Sequence, residues 1–340
     1  MKTTFVARAP GKLFLLGEYA VLDGATAVVT AVDRHIEVRL RCRSSRHTRI
    51  SAPGHCEPLE LPAERTNGAP AELRFALAAI EASARRLQLE HAGFDIAIKS
   101  ELEAGSGSGQ KLGLGGSAAV TAAIVAAVYA AAGRDVALWR DDIFATAFGA
   151  HRAAQRGVGS GADVAAAVYG GVLAFEPKPE SLPQLVPLQF PDSTQLLVAW
   201  SGRAAATGPL VGRYLALGNG DHDHRRGFVR ASRASVGDFV DALQTGWLSL
   251  RSVDENGAAL ERLSRAGCLG LLTQELARLI LLARAAGAGA KLSGAGGGDC
   301  TIALTGDADV AERVRTAWRA ASFTALGLRP ETHGVSVAQA

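Results

Sequence analysis

Apolar and polar positions alternate in short runs at the start of the chain and recur at helical spacing further on. Residues 3–8 predict a strand, Ala9-Pro10-Gly11-Lys12 a break, and 13–16 an apolar run that ends at Gly17-Glu18-Tyr19. Leu22-Asp23-Gly24 has turn chemistry. Residues 27–32 and 35–41 predict two further strands, the second alternating strictly. The polar segment 43–69 predicts a loop or edge hairpin. At Pro70 the period changes: residues 70–90 space their apolar positions for a helix with proline in its first turn. Strand patterning returns at 93–99, 172–175, 195–200, 301–304 and 329–337. Helical patterning covers 139–155, 228–244, 256–265, 271–286 and 307–321.

The longest apolar run is KLGLGGSAAVTAAIVAAVYAAAG, residues 111–133. Glycines at 113, 115 and 116 precede Ser117, an expected N-cap, and Gly133 is the expected stop. The run predicts a buried helix with a glycine loop at its N-terminus. Such a loop exposes backbone N–H groups where the helix dipole is positive, which suits a phosphate. The Gly-Ser segment 101–109 that leads into this central loop is not a Walker loop, since no Gly-Lys-Ser/Thr triplet follows. The central loop's loose dinucleotide fingerprint lacks the acidic residue about twenty positions on.

Composition narrows the classes. With 340 residues, 48% hydrophobic and 20% charged, the chain predicts a globular protein of two domains. Five prolines between 177 and 191 mark the expected boundary, giving domains 1–176 and 192–340. A net charge of +3 without a long basic run argues against nucleic acid as a partner. The 111–133 run is short and alanine-rich for a membrane span, and the N-terminus lacks an apolar signal region. Cys42, Cys56, Cys268 and Cys300 form no CxxC pair, so neither a zinc site nor a disulfide framework is expected. A cytoplasmic protein without a membrane partner, monomer or homodimer, is the expectation.

Four further features carry candidate chemistry. Lys12 lies beside Pro10 and Gly11 between two apolar runs, either a solvated loop lysine or a cation presented at a strand end. Asp163 follows Ser160 in a Gly-Ser-Gly turn, either a helix cap or a carboxylate presented as a base or metal ligand. Arg203 sits in the turn after the apolar run 195–200. Lys291-Leu-Ser-Gly-Ala-Gly-Gly-Gly-Asp-Cys300 places four glycines between a helix and a strand, more than a plain turn needs. The alternating His and Asp of 219–226 read as a solvated loop rather than a metal site.

Three of these stretches, APGKLFLLGEYAVLDG (9–24), KLGLGGSAAV (111–120) and KLSGAGGGDCTIAL (291–304), resemble in order the three motifs of the GHMP small-molecule kinases. The resemblance spans nearly the whole chain. It implies an α+β fold of two domains, the first like domain 2 of ribosomal protein S5 and the second ferredoxin-like, with the active site in the cleft between. It implies ATP and Mg2+ as cofactors. Lys111, Gly113, Leu114, Gly115, Gly116, Ser117 and Ala118 would hold the ATP phosphates, and Ser117 the metal. The family usually has two serines where this chain has Gly116 and Ser117. Lys12 and Asp163 match the catalytic lysine and aspartate. Tyr19, Ser160, Arg203, Ser293, Gly294, Ala295 and Gly296, with Lys12 and Asp163, would meet the acceptor.

GEYAVLDG, GSGADVA, AWSGRAA and GGGDC are most similar to members whose acceptor is phosphomevalonate. Members that phosphorylate mevalonate share the first two motifs. They carry a glutamate upstream of the aspartate as a magnesium ligand, and around that place this chain has Ala150, His151 and Arg152. A phosphomevalonate-directed kinase is the expectation, with a mevalonate-directed kinase or a non-catalytic sensor of the same fold as alternatives.

Overall fold

The first strand, β1 (Thr4–Leu16), runs unbroken through Pro10-Gly11, where a break was expected. The backbone there is held by the chain beside it: Lys12 N–H donates to Leu114 O at 2.8 Å, and a Cβ on Gly11 would lie 2.9 Å from that same oxygen. β2 (Ala27–Arg43) likewise joins the two strands expected separately. Asp33 and Arg34 between them carry no glycine or proline, so nothing local forces a turn. The computed structural model describes residues 3–52, 56–62, 70–89, 92–104, 110–217 and 222–340.

The expected hairpin follows as β3 (His47–Ala52) and β4 (Cys56–Pro62), antiparallel; residues 53–55 and 63–69 of that segment lie outside the described residues. Next come α1 (Arg74–Leu87), β5 (Gly93–Ser100), α2 (Gly116–Ala131), α3 (Arg140–Ala154) and α4 (Ala162–Tyr169). Then follow β6 (Val172–Glu176), β7 (Gln184–Leu188), β8 (Gln195–Trp200), α5 (Thr207–Leu215), α6 (His222–Gln244), α7 (Leu250–Ala266) and α8 (Gln274–Ala285). The chain ends with β9 (Gly289–Ser293), β10 (Cys300–Thr305), α9 (Ala308–Ala320), β11 (Thr324–Leu326) and β12 (Ser336–Gln339). The tract expected as a solvated loop at 219–226 starts α6 from His222; 219–221 lie outside the described residues, as does 105–109 of the Gly-Ser segment before the central loop.

These elements pack into two units. The first holds Met1–Lys12, Ala31–Gly170 and Glu331–Ala340; the second holds Leu13–Thr30 and Gly171–Pro330. The division therefore differs from the boundary expected in the proline-rich segment. Five prolines did not prevent β7 from pairing antiparallel with β6: among the described residues β7 pairs with β6 alone, and such an edge strand tolerates Pro187; both strands belong to the second unit. The C-terminal residues return to the first unit because β12 pairs with β1.

In the first unit the strand order is β12-β1-β2-β5-β3-β4, with β3 and β5 parallel. Helices α1 to α4 pack on one another around α2. Residues 118–129 of α2 are almost all buried, as expected of a helix that is apolar on every side. The second unit has the antiparallel order β11-β8-β10-β9, and β6 pairs with the start of β2. Trp318, Tyr214, Leu260 and Leu279 lie in its core. No helix among the described residues is long and apolar enough to cross a membrane.

Candidate active site

In the first unit the glycine loop turns directly into α2. Leu112 and Leu114 are buried and anchor it; Leu112 N–H donates to Leu102 O at 3.3 Å. Gly115, not Ser117, is the N-cap. Its φ of 77° is left-handed, a conformation that side-chain-bearing residues seldom adopt, and it lets the chain enter the helix two residues earlier than expected. No side chain caps this end. Gly115 O receives Ala118 N–H at 3.0 Å and Ala119 N–H at 3.1 Å, so the N–H of Ala118, expected in the phosphate cradle, is engaged. The N–H groups of Gly116 and Ser117 precede the first helical carbonyl partner and form the positive end of the dipole. A Cβ on Gly116 would find nothing nearer than Leu102 Cδ1 at 3.9 Å, so the space before the helix is open. Lys111 is exposed.

Lys12 is 8% exposed and runs along this loop: a Cβ on Gly115 would lie 2.8 Å from its Cγ and 3.0 Å from its Cε. The lysine stem is therefore held by the loop that was expected to bind phosphate. Lys12 is therefore not a solvated loop lysine; it is buried, and it lies within β1 rather than at a strand end.

Asp163 is in the first turn of α4, whose N-cap is Gly161 at φ 83°. A Cβ on Gly161 would lie 2.2 Å from the Phe148 ring, so only glycine fits there. Ser160 Oγ accepts Ala162 N–H at 3.3 Å, and Asp163 Oδ1 accepts Val164 N–H at 3.0 Å. Between Asp163 and Ser117 stands His151, from the last turn of α3 and 1% exposed. Its Nε2 is 3.2 Å from Ser117 Oγ and 3.8 Å from Asp163 Oδ2. Its ring stacks on Phe75 with centroids 5.0 Å apart, and its Nδ1 is buried without a hydrogen-bond partner among the described residues. By sequence alone His151 marks only the place of an absent glutamate. Its spacing to Ser117 and Asp163 signals nothing without the packing of α2, α3 and α4.

In the second unit the first and third motifs are joined. Lys291 Nζ donates to Glu18 Oε1 in an ion pair with both side chains buried, and to Leu292 O at 2.8 Å. Burial pushes the Lys291 ammonium below its usual value, against the pull of Glu18. Glu18 Oε1 also accepts Gly294 N–H at 3.4 Å, while Oε2 is buried and without a hydrogen-bond partner among the described residues. Tyr19 OH donates to Ala295 O at 2.5 Å, and Ser293 Oγ donates to Phe14 O at 2.8 Å. Tyr19 and Ser293, both expected to meet an acceptor, are thus buried struts that shape the Gly294-Ala295-Gly296 turn. Gly294 and Ala295 are partly exposed, and Gly296 is buried against Leu271 O.

Arg203 is 59% exposed, with Glu275 3.7 Å away, an exposed pair of little strength. Its loop is clamped by Asp299 of the third motif. Asp299 N–H donates to Arg203 O at 2.9 Å, its Oδ1 accepts Ala205 N–H at 2.8 Å, and its O accepts Ser201 N–H at 2.9 Å. In sequence Gly-Asp-Cys is a family signature; in the structure its aspartate holds the Arg203 turn.

The residues present fit a nucleotide. The uncapped start of α2, the open space at Gly116 and the adjoining Lys12 suit a phosphate. For a divalent cation, Ser117 Oγ and the neighbouring Asp163 are hard oxygen donors. No group of three His, Cys, Asp or Glu that could hold a metal occurs among the described residues. The donor set therefore suits Mg2+ carried in on phosphates rather than an all-protein cage.

Residues 74–171 match the family profile for the GHMP kinases N terminal domain, and residues 239–323 the one for the GHMP kinases C terminal domain. A phosphomevalonate kinase of a Streptomyces species is 32% identical, over 98% of each chain. A mevalonate kinase of Pyrococcus horikoshii is 29% identical, over 88% of each. The solved structure of Streptococcus pneumoniae phosphomevalonate kinase, in complex with phosphomevalonate and AMPPNP, matches with a TM-score of 0.79 at 21% identity. That match covers 96% of this chain and 99% of the other, and at such identity it shows the fold.

Proposed function

The chain belongs to the GHMP kinase family, and on that premise we propose that it transfers the γ-phosphoryl group of ATP to 5-phosphomevalonate, giving 5-diphosphomevalonate. The observation that carries the choice of acceptor is His151. The mevalonate kinases that the motifs resemble hold a glutamate upstream of the aspartate. Here the buried side chain against Ser117 and Asp163 is an imidazole. It adds no negative charge where an anionic acceptor has to approach an anionic nucleotide. The similarity to the Streptomyces phosphomevalonate kinase supports the same reading.

Phosphoryl transfer is mostly positioning and charge neutralisation. The N–H groups of Gly116 and Ser117 donate to phosphate oxygens, with Gly113, Leu114 and Gly115 shaping the loop and Lys111 at its exposed edge. Lys12 offsets the negative charge that develops. Ser117 Oγ is the side chain that would hold magnesium, which would supply positive charge against the phosphates. A phosphate monoester has a second pKa of roughly 6, so the acceptor is largely ionised near neutral pH. Asp163 then orients Lys12 rather than acting as an obligatory base. Ser160, Arg203, Gly294 and Ala295 are the acceptor residues of this reading, and Ser293 acts by shaping the turn 293–296. Tyr19 acts there by holding Ala295.

The mevalonate kinases among the relatives make mevalonate the second reading. An ADP-release assay over phosphomevalonate, mevalonate, homoserine and galactose decides between them. Turnover is expected with phosphomevalonate; faster turnover with mevalonate under matched conditions would overturn the assignment.

A further inference from the structure

The arginines of α6 take no part in this reaction, yet they surround a cavity of about 530 Å³ in the second unit. Its walls are Asp23, Arg225, Arg226, Val229, Arg230 and Arg233. Arg225 is fixed in place: its Nε donates to Asp23 Oδ2 at 3.1 Å, a second nitrogen donates to Asp23 Oδ1, and its Cζ lies 4.7 Å from the centre of the Tyr214 ring. Tyr214 OH also donates to Asp23. The one carboxylate in the wall is therefore fully engaged. Arg226 pairs with Asp223 at 2.7 Å, but the two side chains are 72% and 94% exposed, so the pair is easily exchanged. Among the described residues Arg233 reaches only Gly24 O, at 3.5 Å. Arg230 has no ion-pair partner among the described residues.

Positions 226, 230 and 233 follow the helical repeat and share one face of α6. Like charges at that spacing repel. Arg225 also lies at the end of the first turn of α6, where the helix dipole is already positive. Both effects are relieved by a bound anion. From 225 to 233 the arginines span about 12 Å of helix, more than one phosphate can reach. Planar guanidinium forks match phosphate oxygens in pairs, and Val229 with the arginine stems supplies an apolar floor.

We propose that this cavity binds a small molecule bearing two linked phosphoryl groups, at residues separate from the glycine loop. The proposal does not depend on which acceptor the kinase uses. It is tested by calorimetric titration of the full chain with inorganic pyrophosphate, with inorganic sulfate as the comparison. A non-hydrolysable ATP analogue is present at saturation to occupy the glycine loop. Saturable one-to-one binding is expected, at least tenfold tighter for pyrophosphate than for sulfate. The double variant Arg230→Gln/Arg233→Gln should weaken it at least tenfold while ATP-dependent turnover changes less than twofold. Because both positions are exposed, its melting temperature should match the parent. Should it melt early, Arg230→Lys alone is measured: it keeps the charge but loses the fork, and at least a threefold loss is expected. Absence of saturable pyrophosphate binding, equal affinity for sulfate, or affinity unchanged by these substitutions overturns the proposal.

Discussion

His151 Nε2 lies 3.2 Å from Ser117 Oγ, so one buried imidazole ties the end of α3 to the first turn of α2. The same nitrogen is 3.8 Å from Asp163 in the first turn of α4. His151→Ala should release the Ser117 hydroxyl and lower turnover by about 10- to 100-fold, one to two factors of 1.4 kcal/mol. It also opens a cavity beside Phe75, with a stability loss of about 2 kcal/mol. His151→Gln can still offer a polar group to Ser117 and should recover at least half of the lost activation free energy. Urea unfolding beside steady-state kinetics separates the two effects; equal turnover loss in both variants would make His151 a packing residue only.

Lys12 should matter more to the rate than Asp163. Its stem is buried against Gly115, and one preorganised donor in a water-poor site is worth roughly 3–4 kcal/mol. Lys12→Ala should therefore lower turnover by about 10²–10³. Asp163→Asn should cost less, and its loss should vary little between pH 7 and pH 9 if the carboxylate only orients the lysine. Turnover across that range at saturating ATP and magnesium checks this, and equal losses would return Asp163 to the role of general base.

Neighbouring glycines should respond in opposite ways. Gly115→Ala places a side chain at φ 77° and drives its Cβ against the Lys12 stem, so about 1–2 kcal/mol of stability and most of the activity should be lost. Gly116→Ser meets open space. It restores the residue the family usually carries there, and should leave melting temperature and ATP affinity unchanged or improved. Loss of nucleotide binding in Gly116→Ser would show that the ligand itself fills the space before α2 and leaves no room there for the serine the family usually carries.

The buried pair of Glu18 and Lys291 gives a double-mutant cycle. Removing either partner strands a charge away from water, so Glu18→Gln and Lys291→Met should each destabilise by about 3–5 kcal/mol. The double variant should be more stable than either single one. Additive losses in denaturant unfolding would refute the coupling.

All four tyrosines should resist ionisation. Burial first, and then hydrogen bonds to Asp142, Asp141 and Asp23, raise Tyr129, Tyr169 and Tyr214; for Tyr19 the second cause is the charge of Glu18. Tyr129 is pushed up to about 12 and the others further. Above pH of about 10 the unfolded chain sheds phenolic protons that the folded chain keeps, so the stabilisation present below that pH is lost as pH rises through the folded values. Ultraviolet titration should show little phenolate in the native protein near pH 11 and nearly complete ionisation in denaturant. A native midpoint near 10 would contradict the burial of these rings.

Sequence alone determined what depends on neighbours along the chain. The glycine loop before an apolar run specified α2, since left-handed turns and helix periodicity are local properties. Alternation located β5 and β8, and the order of three glycine motifs marked the family. Tertiary structure decided the rest. β1 continues through Pro10-Gly11 because Leu114 O receives Lys12 N–H, and β7 forms among prolines because β6 supplies its partner. The start of α2 shifted by two residues, from Ser117 to Gly115, because a left-handed glycine turned the chain sooner than a serine cap would. The Glu18–Lys291 pair, the Asp299 clamp on the Arg203 turn, and His151 between Ser117 and Asp163 join residues from distant parts of the chain. No periodicity encodes such contacts, because they exist only once helices and strands have packed and excluded water from between them.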